Sequence, residues 1–163
     1  KRARPFGLRI IAVRRRPELP TEHADEVRGT DELAWLLRES DFVALCSALT
    51  GETRHLIGEA ELKLMKPTAY LVNIGRGGLI DEQALTRALD AGTIAGAGLD
   101  VFEKEPLPAD SPLWEMPNVM ITPHDSGSSP RSHERLMALF VENLRRYIAG
   151  EPLLNVVDKR AGY

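Results

Sequence analysis

The sequence predicts an α/β fold built on a doubly wound parallel sheet, and two observations lead to that prediction. Short apolar segments alternate along the chain with stretches that have helical periodicity. Short glycine-bearing loops join these segments, as expected for strand–helix–strand units with right-handed crossovers. We therefore expect a parallel sheet with helices on both of its faces.

Two kinds of segment account for most of the chain. Apolar runs predict strands over residues 8–13, 42–46, 69–73, 94–101 and 119–122. Helical spacing predicts helices over residues 31–39, 59–65, 81–91 and 130–149. The first strand has the pattern of one buried on both faces, and either Thr30 or Asp31 is expected to cap the first helix. Gly92 and Gly150 are expected to end the last two helices.

The composition excludes several classes of protein. The chain has 163 residues, 43% of them hydrophobic, and its net charge of −3 does not suit a nucleic-acid-binding surface. Its single cysteine, Cys46, excludes an internal disulfide and is expected to be a small buried hydrophobe rather than a nucleophile. No apolar run approaches the roughly 20 residues of a membrane helix. We expect a cytoplasmic protein with a small-molecule partner and no metal, nucleic acid or membrane partner.

The carboxyl ends of the predicted strands carry the residues that could perform chemistry. In an open parallel sheet, ligands bind outside these ends. The stretches there are residues 14–16, 46–50, 73–78 and 100–105, and His124 follows the last strand. We therefore expect a single site along one edge of the sheet.

Three of these positions are candidate catalytic residues, and each also has a simpler explanation. Arg76 lies between glycines, where a guanidinium could bind a carboxylate, or it could be a surface residue in a flexible turn. Residues 100–105 carry three carboxylates, which could act as acid, base or histidine partner, or form a solvated loop. His124 could give and take a proton, or be an ordinary polar residue. The other histidines have weaker claims: His23, His55 and His133.

An arginine run at residues 14–16 follows the first predicted strand. In dinucleotide-binding folds, the end of the second strand meets the adenosine ribose of the cofactor. An acidic residue there suits a free hydroxyl, whereas arginines suit a 2′-phosphate. The run therefore indicates either a phosphate site or a solvated turn.

Considered together, these motifs resemble those of the D-isomer-specific 2-hydroxyacid dehydrogenases. The resemblance runs from Phe6 to about Asp158. Its most specific parts are L-T-G-E-T-R at 49–54, M-K-P at 65–67, N-I-G-R-G-G at 73–78, G-L-D-V-F-E-K-E-P at 98–106 and T-P-H at 122–124. It implies a Rossmann-like domain and hydride transfer between NADP or NAD and a small 2-keto acid, of the glyoxylate/hydroxypyruvate reductase kind.

The resemblance also implies roles for individual residues. Arg76 would hold the carboxylate and carbonyl oxygen of the substrate, His124 would be the general acid/base, and Glu105 would be the carboxylate paired with it. Asp100 would face the nicotinamide carboxamide. The residues expected to bind the cofactor are Arg14, Arg15, Ala48, Leu49, Thr50, Asn73, Ile74, Gly75, Asp100 and Gly127.

Several features depart from the family pattern. Arg14 stands where many members have the ribose-binding acid, which favours NADP over NAD. Ala48 stands where a proline is common. Asp125 follows His124 where an uncharged residue is usual, and this additional carboxylate could alter substrate preference. The first strand and Gly-rich loop of the nucleotide-binding fold would precede Lys1. We therefore expect an incomplete Rossmann-like sheet in a fragment of a longer protein.

The resemblance divides the chain into two parts. Residues 1–127 would be a partial nucleotide-binding domain, and residues 128–163 would be a long helix and tail that return to a substrate domain. It implies a homodimer for the longer protein and near inactivity for the fragment. Two alternatives stay open: an NAD(H)-sensing regulatory module of the corepressor type, and an inactive remnant.

Overall fold

Strands and helices alternate along the chain in the computed structural model, which describes residues 3–160. The strands are β1 (Ile11–Val13), β2 (Glu26–Arg28), β3 (Phe42–Leu45), β4 (Tyr70–Asn73), β5 (Gly96–Leu99) and β6 (Val119–Ile121). The α-helices are α1 (Leu33–Glu39), α2 (Glu59–Leu62), α3 (Glu82–Asp90) and α4 (Ser132–Ala149). Single 3₁₀ turns cover Arg4–Phe6, Thr30–Glu32, Gly77–Leu79 and Pro112–Glu115. Residues 1, 2 and 161–163, which belong to the two predicted parts, lie outside the described residues.

All of these strands run parallel, as the sequence predicts. β3, β4, β5 and β6 form one sheet in that order, and β1 and β2 form a separate two-stranded sheet. Because neighbouring parallel strands start and end at the same edges, the carboxyl ends of β3 to β6 lie side by side. The α/β prediction is confirmed, but the described residues form two sheets rather than one.

β2 was not predicted, because its segment E-V-R contains only one apolar residue. Tertiary contacts supply what this sequence lacks. β2 pairs in parallel with β1, and the Asp25 carboxylate accepts the Ile10 N–H at 2.7 Å. The Arg28 guanidinium lies 3.8 Å from the ring centroid of Trp35, which fixes the strand against α1.

The hydrophobic core lies on one side of the four-stranded sheet. Alternate strand residues point into it because successive strand side chains face opposite sides. Its largest members from the strands and from α1, α2 and α3 are Leu37, Val43, Leu45, Leu62, Leu71, Leu85, Leu89 and Leu99. The three short helices therefore stabilise the same face of the sheet.

The opposite face of this sheet is exposed in the described part of the chain. Phe42 and Tyr70 stack on each other there with ring centroids 5.7 Å apart, and Met120 is 72% exposed. The long helix α4 contributes no buried residue. Among residues 3–160, the α-helices that contribute residues to this core are α1, α2 and α3.

Two burial predictions are also wrong. β1 is only partly buried, because β2 is its sole sheet neighbour among the described residues. Cys46 is exposed. The strand ends at Leu45, whose side chain enters the core, so the next residue points toward the uncovered side.

Both predicted glycine ends of the helices are confirmed, and the predicted cap of α1 is wrong. Asp81 caps α3 by accepting the Ala84 N–H at 2.9 Å. Gly92 and Gly150 have φ values of 66° and 70°, the left-handed conformation that glycine adopts without strain. Neither Thr30 nor Asp31 caps α1, because a 3₁₀ turn covers them and delays the helix to Leu33.

Gly77 offers a test of how tightly the loops after β4 and β5 pack. A Cβ atom at Gly77 would overlap the backbone carbonyl of Phe102, whereas a Cβ at Gly51 would meet nothing within 4 Å. We expect Gly77→Ala to lower the free energy of unfolding by about 1–3 kcal/mol, because backbone cannot move aside cheaply. Urea denaturation measures this, and Gly51→Ala is the matched control. Equal stability of the two variants would contradict the packing described.

Candidate active site

A histidine–carboxylate pair stands at the carboxyl edge of the four-stranded sheet. His124 follows β6, and its Nδ1 lies 2.7 Å from Oε2 of Glu105, which follows β5. The other carboxylate oxygen of Glu105 accepts the N–H of Phe102 at 3.0 Å. These bonds to His124 and Phe102 hold the pKa of the Glu105 carboxyl below its usual range. The pair predicted from sequence is therefore formed, with an ionised carboxylate beside the imidazole.

Arg76 lies in the turn that follows β4, next to this pair. Its charge is among the causes that lower the pKa of Glu105. The side chain is exposed, and Nη1 donates to the carbonyl of Gly75 at 2.8 Å. An exposed guanidinium with remaining free donors can bind an incoming carboxylate. The three candidate catalytic residues thus come from the ends of three neighbouring strands.

Asn73 holds the Arg76 turn from inside. Its side chain is 1% exposed, donates to the carbonyl of Arg76 at 3.0 Å and accepts the Gly75 N–H at 3.1 Å. The NH₂ group and the oxygen of this buried amide are thus both hydrogen-bonded within the turn. The geometry accounts for Asn73 as a support for Arg76, a role that the expectation of direct cofactor contact did not include.

Asp100 supports the His124 loop in the same way. Its side chain is buried and accepts the hydroxyl of Thr122 at 2.5 Å and the N–H groups of Asp125 and Ser126 at 3.0 Å each. Burial alone would raise the pKa of this carboxyl. The hydrogen bonds from Ser126, Thr122 and Asp125 outweigh burial and hold it well below its usual range. Asp100 is therefore a buried anion bonded to the loop that bears His124.

His124 itself has a φ of 55°, in the left-handed region that residues other than glycine rarely adopt. Such a conformation persists only where surrounding contacts impose it. The hydrogen bonds that Asp100 accepts from Thr122 and Asp125, on either side of the histidine, provide that constraint.

The loop after β3 contains three residues expected at the cofactor: Ala48, Leu49 and Thr50. Thr53 closes this loop, since its hydroxyl donates to the Ala48 carbonyl at 2.7 Å and accepts the Thr50 N–H at 2.8 Å. Leu49 lies against Gly78, where a Cβ would approach it to 3.1 Å. The loop therefore lies beside the Arg76 turn, and Thr53 was not recognised from the sequence.

Arg14 and Arg15 follow β1. The Arg14 Nε atom is buried without a hydrogen-bond partner, while Nη2 donates to the Pro17 carbonyl at 3.4 Å. Arg15 Nη2 lies 3.3 Å from Glu52 Oε2, in the loop after β3. Arg15 thus contacts the loop after β3, and Arg14 has one buried donor without a hydrogen-bond partner.

The remaining expected cofactor residues have less defined surroundings. Ile74 is 46% exposed at the end of β4. A Cβ at Gly75 would come within 2.9 Å of the Ser47 carbonyl, so glycine lets the ends of β3 and β4 approach closely. The Gly127 carbonyl accepts the Ser132 hydroxyl at 3.4 Å, at the start of α4.

Metal and membrane features are not found in the described part of the chain. Residues 3–160 hold no group of three or more His, Cys, Asp or Glu side chains that could bind a metal ion. None of the helices among them is long and apolar enough to cross a membrane.

The parallel strand order and the convergence of loops at the carboxyl edge define an α/β domain of the dinucleotide-binding class. Residues 1–126 match the family model described as D-isomer specific 2-hydroxyacid dehydrogenase, NAD binding domain. The chain belongs to the D-isomer specific 2-hydroxyacid dehydrogenase family. The resemblance inferred from the motifs is therefore confirmed.

Named relatives agree with this family. Glyoxylate/hydroxypyruvate reductase B of Pectobacterium carotovorum is 46% identical over 153 residues, which cover 94% of this chain and 48% of the relative. Glyoxylate reductase of Thermococcus gammatolerans is 46% identical over 161 residues, covering 98% of this chain and 47% of the relative. The chain spans about half the length of these curated relatives.

Solved structures give the same result. The NADPH-dependent glyoxylate/hydroxypyruvate reductase from Sinorhizobium meliloti, in complex with NADP and sulfate, superposes with a TM-score of 0.88 and 32% identity. That alignment covers 99% of this chain and 52% of the other. A family protein from Aeromonas salmonicida has a TM-score of 0.88 and 38% identity, covering 96% of this chain and 50% of the other. The fold therefore binds a nicotinamide cofactor in relatives of this chain.

Asp100→Asn tests the support of the His124 loop. At neutral pH we expect a loss of about 1–3 kcal/mol in unfolding free energy, because the new amide N–H₂ would be buried facing the N–H donors of Asp125 and Ser126. The pKa of Asp100 is lowered in the folded state. Its contribution is therefore present above the unfolded value of about 4 and is lost as pH falls toward the folded value.

Urea denaturation from pH 7 down to pH 2 checks both points. The wild type should lose more stability in acid than Asp100→Asn does, so that the two curves converge. Asp110→Asn, on the exposed loop before the 3₁₀ turn Pro112–Glu115, serves as the control. Curves for Asp100→Asn and wild type that stay parallel through acid would contradict the buried-anion description.

Proposed function

We propose that this chain is the nucleotide-binding half of a dehydrogenase that interconverts a small 2-keto acid and its D-2-hydroxy acid, with NADP(H) or NAD(H). The 2.7 Å contact between His124 and Glu105 beside Arg76 carries the proposal. The names of the similar reductases support glyoxylate and hydroxypyruvate as substrates.

In this proposal, the catalytic residues act on the two ends of a keto acid. Arg76 binds the substrate carboxylate through its fork of N–H donors. Because Nδ1 of His124 bonds Glu105, the other ring nitrogen, Nε2, donates a proton to the carbonyl oxygen. The nicotinamide, when bound, supplies hydride to the carbonyl carbon. Glu105 stabilises the imidazolium that donates the proton, and the reverse reaction returns it.

The residues proposed to hold the cofactor surround the ends of β1, β3 and β4. The loop containing Ala48, Leu49 and Thr50 would line the nicotinamide half together with Ile74 and Gly75. The close approach of the Gly75 backbone to Ser47 supports a narrow cradle there. Asp100 and Asn73 would act by supporting the loops, and Gly127 by its place before α4.

NADP is the proposed preferred cofactor. A 2′-phosphate needs cationic donors, and Arg14 has a buried Nε without a partner. The absence of an acidic residue at this position also removes the partner that a free ribose hydroxyl prefers. Arg15 lies next to Arg14 and adds positive charge to the same strand end.

Residues 128–163 are proposed to pack against a substrate-binding half of the same polypeptide. Along α4, one side carries exposed apolar residues, among them Phe140 at 59%, Val141 at 59% and Leu144 at 48%. An exposed apolar stripe of this size is typical of an interface. A substrate half fits because the relatives are about twice as long as this chain. The homodimer implied by the resemblance stays a prediction.

Reduction of glyoxylate and hydroxypyruvate by the complete polypeptide, followed by NADPH absorbance, tests the proposed activity. His124→Asn should lower kcat by roughly 10²–10⁴-fold, because positioned proton transfer contributes about that much. His133→Asn, on α4, is the matched control and should retain wild-type kcat. No turnover of any 2-keto acid by the wild type would refute the proposed activity.

Arg14→Gln tests the cofactor preference separately. Hydrogen bonds to charged groups contribute about 1.5–3 kcal/mol, so the Kd for NADPH should rise roughly 10-fold or more. The Kd for NADH should change little. Nicotinamide fluorescence measures both, and Arg87→Gln on α3 is a control of equal charge change. Parallel losses for both cofactors would argue against a 2′-phosphate site at Arg14.

A further inference from the structure

A second histidine–carboxylate pair lies close to the first. His55 Nε2 is 2.5 Å from Oε1 of Glu103, a residue 48 positions away in sequence. The two side chains are 40% and 33% exposed. His55 has a φ of 51°, so its backbone is also in the left-handed region. Strained backbone at this contact indicates that surrounding structure fixes the histidine.

The His55 backbone is attached to the Arg76 turn. Its N–H donates to the Gly78 carbonyl at 2.8 Å, and the N–H of Ile57 donates to the Leu79 carbonyl at 3.0 Å. Movement of the segment at His55 would therefore move the residues that follow Arg76. The imidazole extends from this segment to the loop after β5.

The backbone of Glu103 is held as well as its side chain. Its backbone N–H donates to Oε2 of Glu82, at the start of α3, at 3.1 Å. Glu103 lies between Phe102 and Glu105, and the Phe102 N–H donates to Glu105. The orientation of Glu105 toward His124 thus depends on the backbone that Glu103 anchors.

We propose that His55 is a positioning residue: by binding Glu103, it holds the loop of residues 102–105 against the Arg76 turn and so orients Glu105 toward His124. This inference rests on the proposed dehydrogenase function. His55 does not touch substrate in this scheme. It couples the residue that binds the substrate carboxylate to the carboxylate that supports proton transfer.

Partly exposed ion pairs contribute little to stability, typically less than about 1 kcal/mol. Catalysis is far more sensitive to geometry, because a displacement of about 1 Å can cost as much as 10²-fold in rate. A positioning role therefore predicts a fall in kcat without a matching fall in thermal stability. A purely structural role predicts a fall in thermal stability without a matching fall in kcat.

The test compares His55→Leu and His55→Gln in the complete polypeptide. His55→Leu should lower kcat roughly 10-fold and leave the Kd for NADPH unchanged. His55→Gln, which can still donate to Glu103, should recover most of that loss. Glu103→Ala should match His55→Leu, and the double variant should lose no more than either single one. His23→Leu, in the exposed β1–β2 connection, is the control.

A readout that needs no turnover accompanies these assays. Carbon-13 NMR of the Glu105 carboxyl in His55→Leu should show its pKa returning toward the ordinary value of about 4.3, because contact with His124 is loosened. An unchanged Glu105 titration in His55→Leu overturns the proposal, as does a fall in kcat that merely follows the folded fraction. A shifted titration in a protein that reduces no 2-keto acid supports the link between His55 and Glu105 while rejecting the proposed function.

Discussion

The hydrogen bonds to the Asp100 carboxylate are the constraint on which the candidate site depends. They bind the hydroxyl and N–H groups on either side of His124 to the end of β5. Because the carboxylate is buried, it cannot exchange these donors for water, and each lost bond leaves a buried charged acceptor short of a partner. The left-handed backbone of His124 is tolerable only within this set of bonds.

Asn73 does for the Arg76 turn what Asp100 does for the His124 loop. Each is the polar residue at or just after the end of a central strand, and each uses its buried side chain to hold the neighbouring loop. Polar groups of this kind fix geometry because they are fully bonded in one arrangement only. The exposed groups that we propose as catalytic, Arg76, Glu105 and His124, are then free to face solvent.

The rest of the fold forms a platform for these loops. A single core on one side of the sheet holds β3 to β6, while the other side and the apolar stripe of α4 are uncovered in residues 3–160. Parallel sheets are stable when both faces are covered. This requirement and the length of the relatives support the proposal that the catalytic unit needs the other half of the polypeptide.

Much of the fold followed from the sequence because its determinants are local. The apolar runs of β3, β4 and β5 predicted strands, and Gly92 and Gly150 predicted helix ends. β2 could not be predicted from E-V-R, since its strand conformation depends on pairing with β1. Cys46 was assigned to the core because the sequence cannot show which face of a strand is covered.

The sequence by itself determined the family, the parallel α/β class and the identity of the candidate catalytic groups, because motifs and periodicity are properties of short segments. Only the tertiary structure decided how Asp100 and Asn73 act and that His55 meets Glu103. Those contacts join residues up to 48 positions apart, and chain separation gives no measure of distance once strands are aligned in a sheet. Which loops meet at the carboxyl edge is set by strand order and register, and these depend on packing of the whole core.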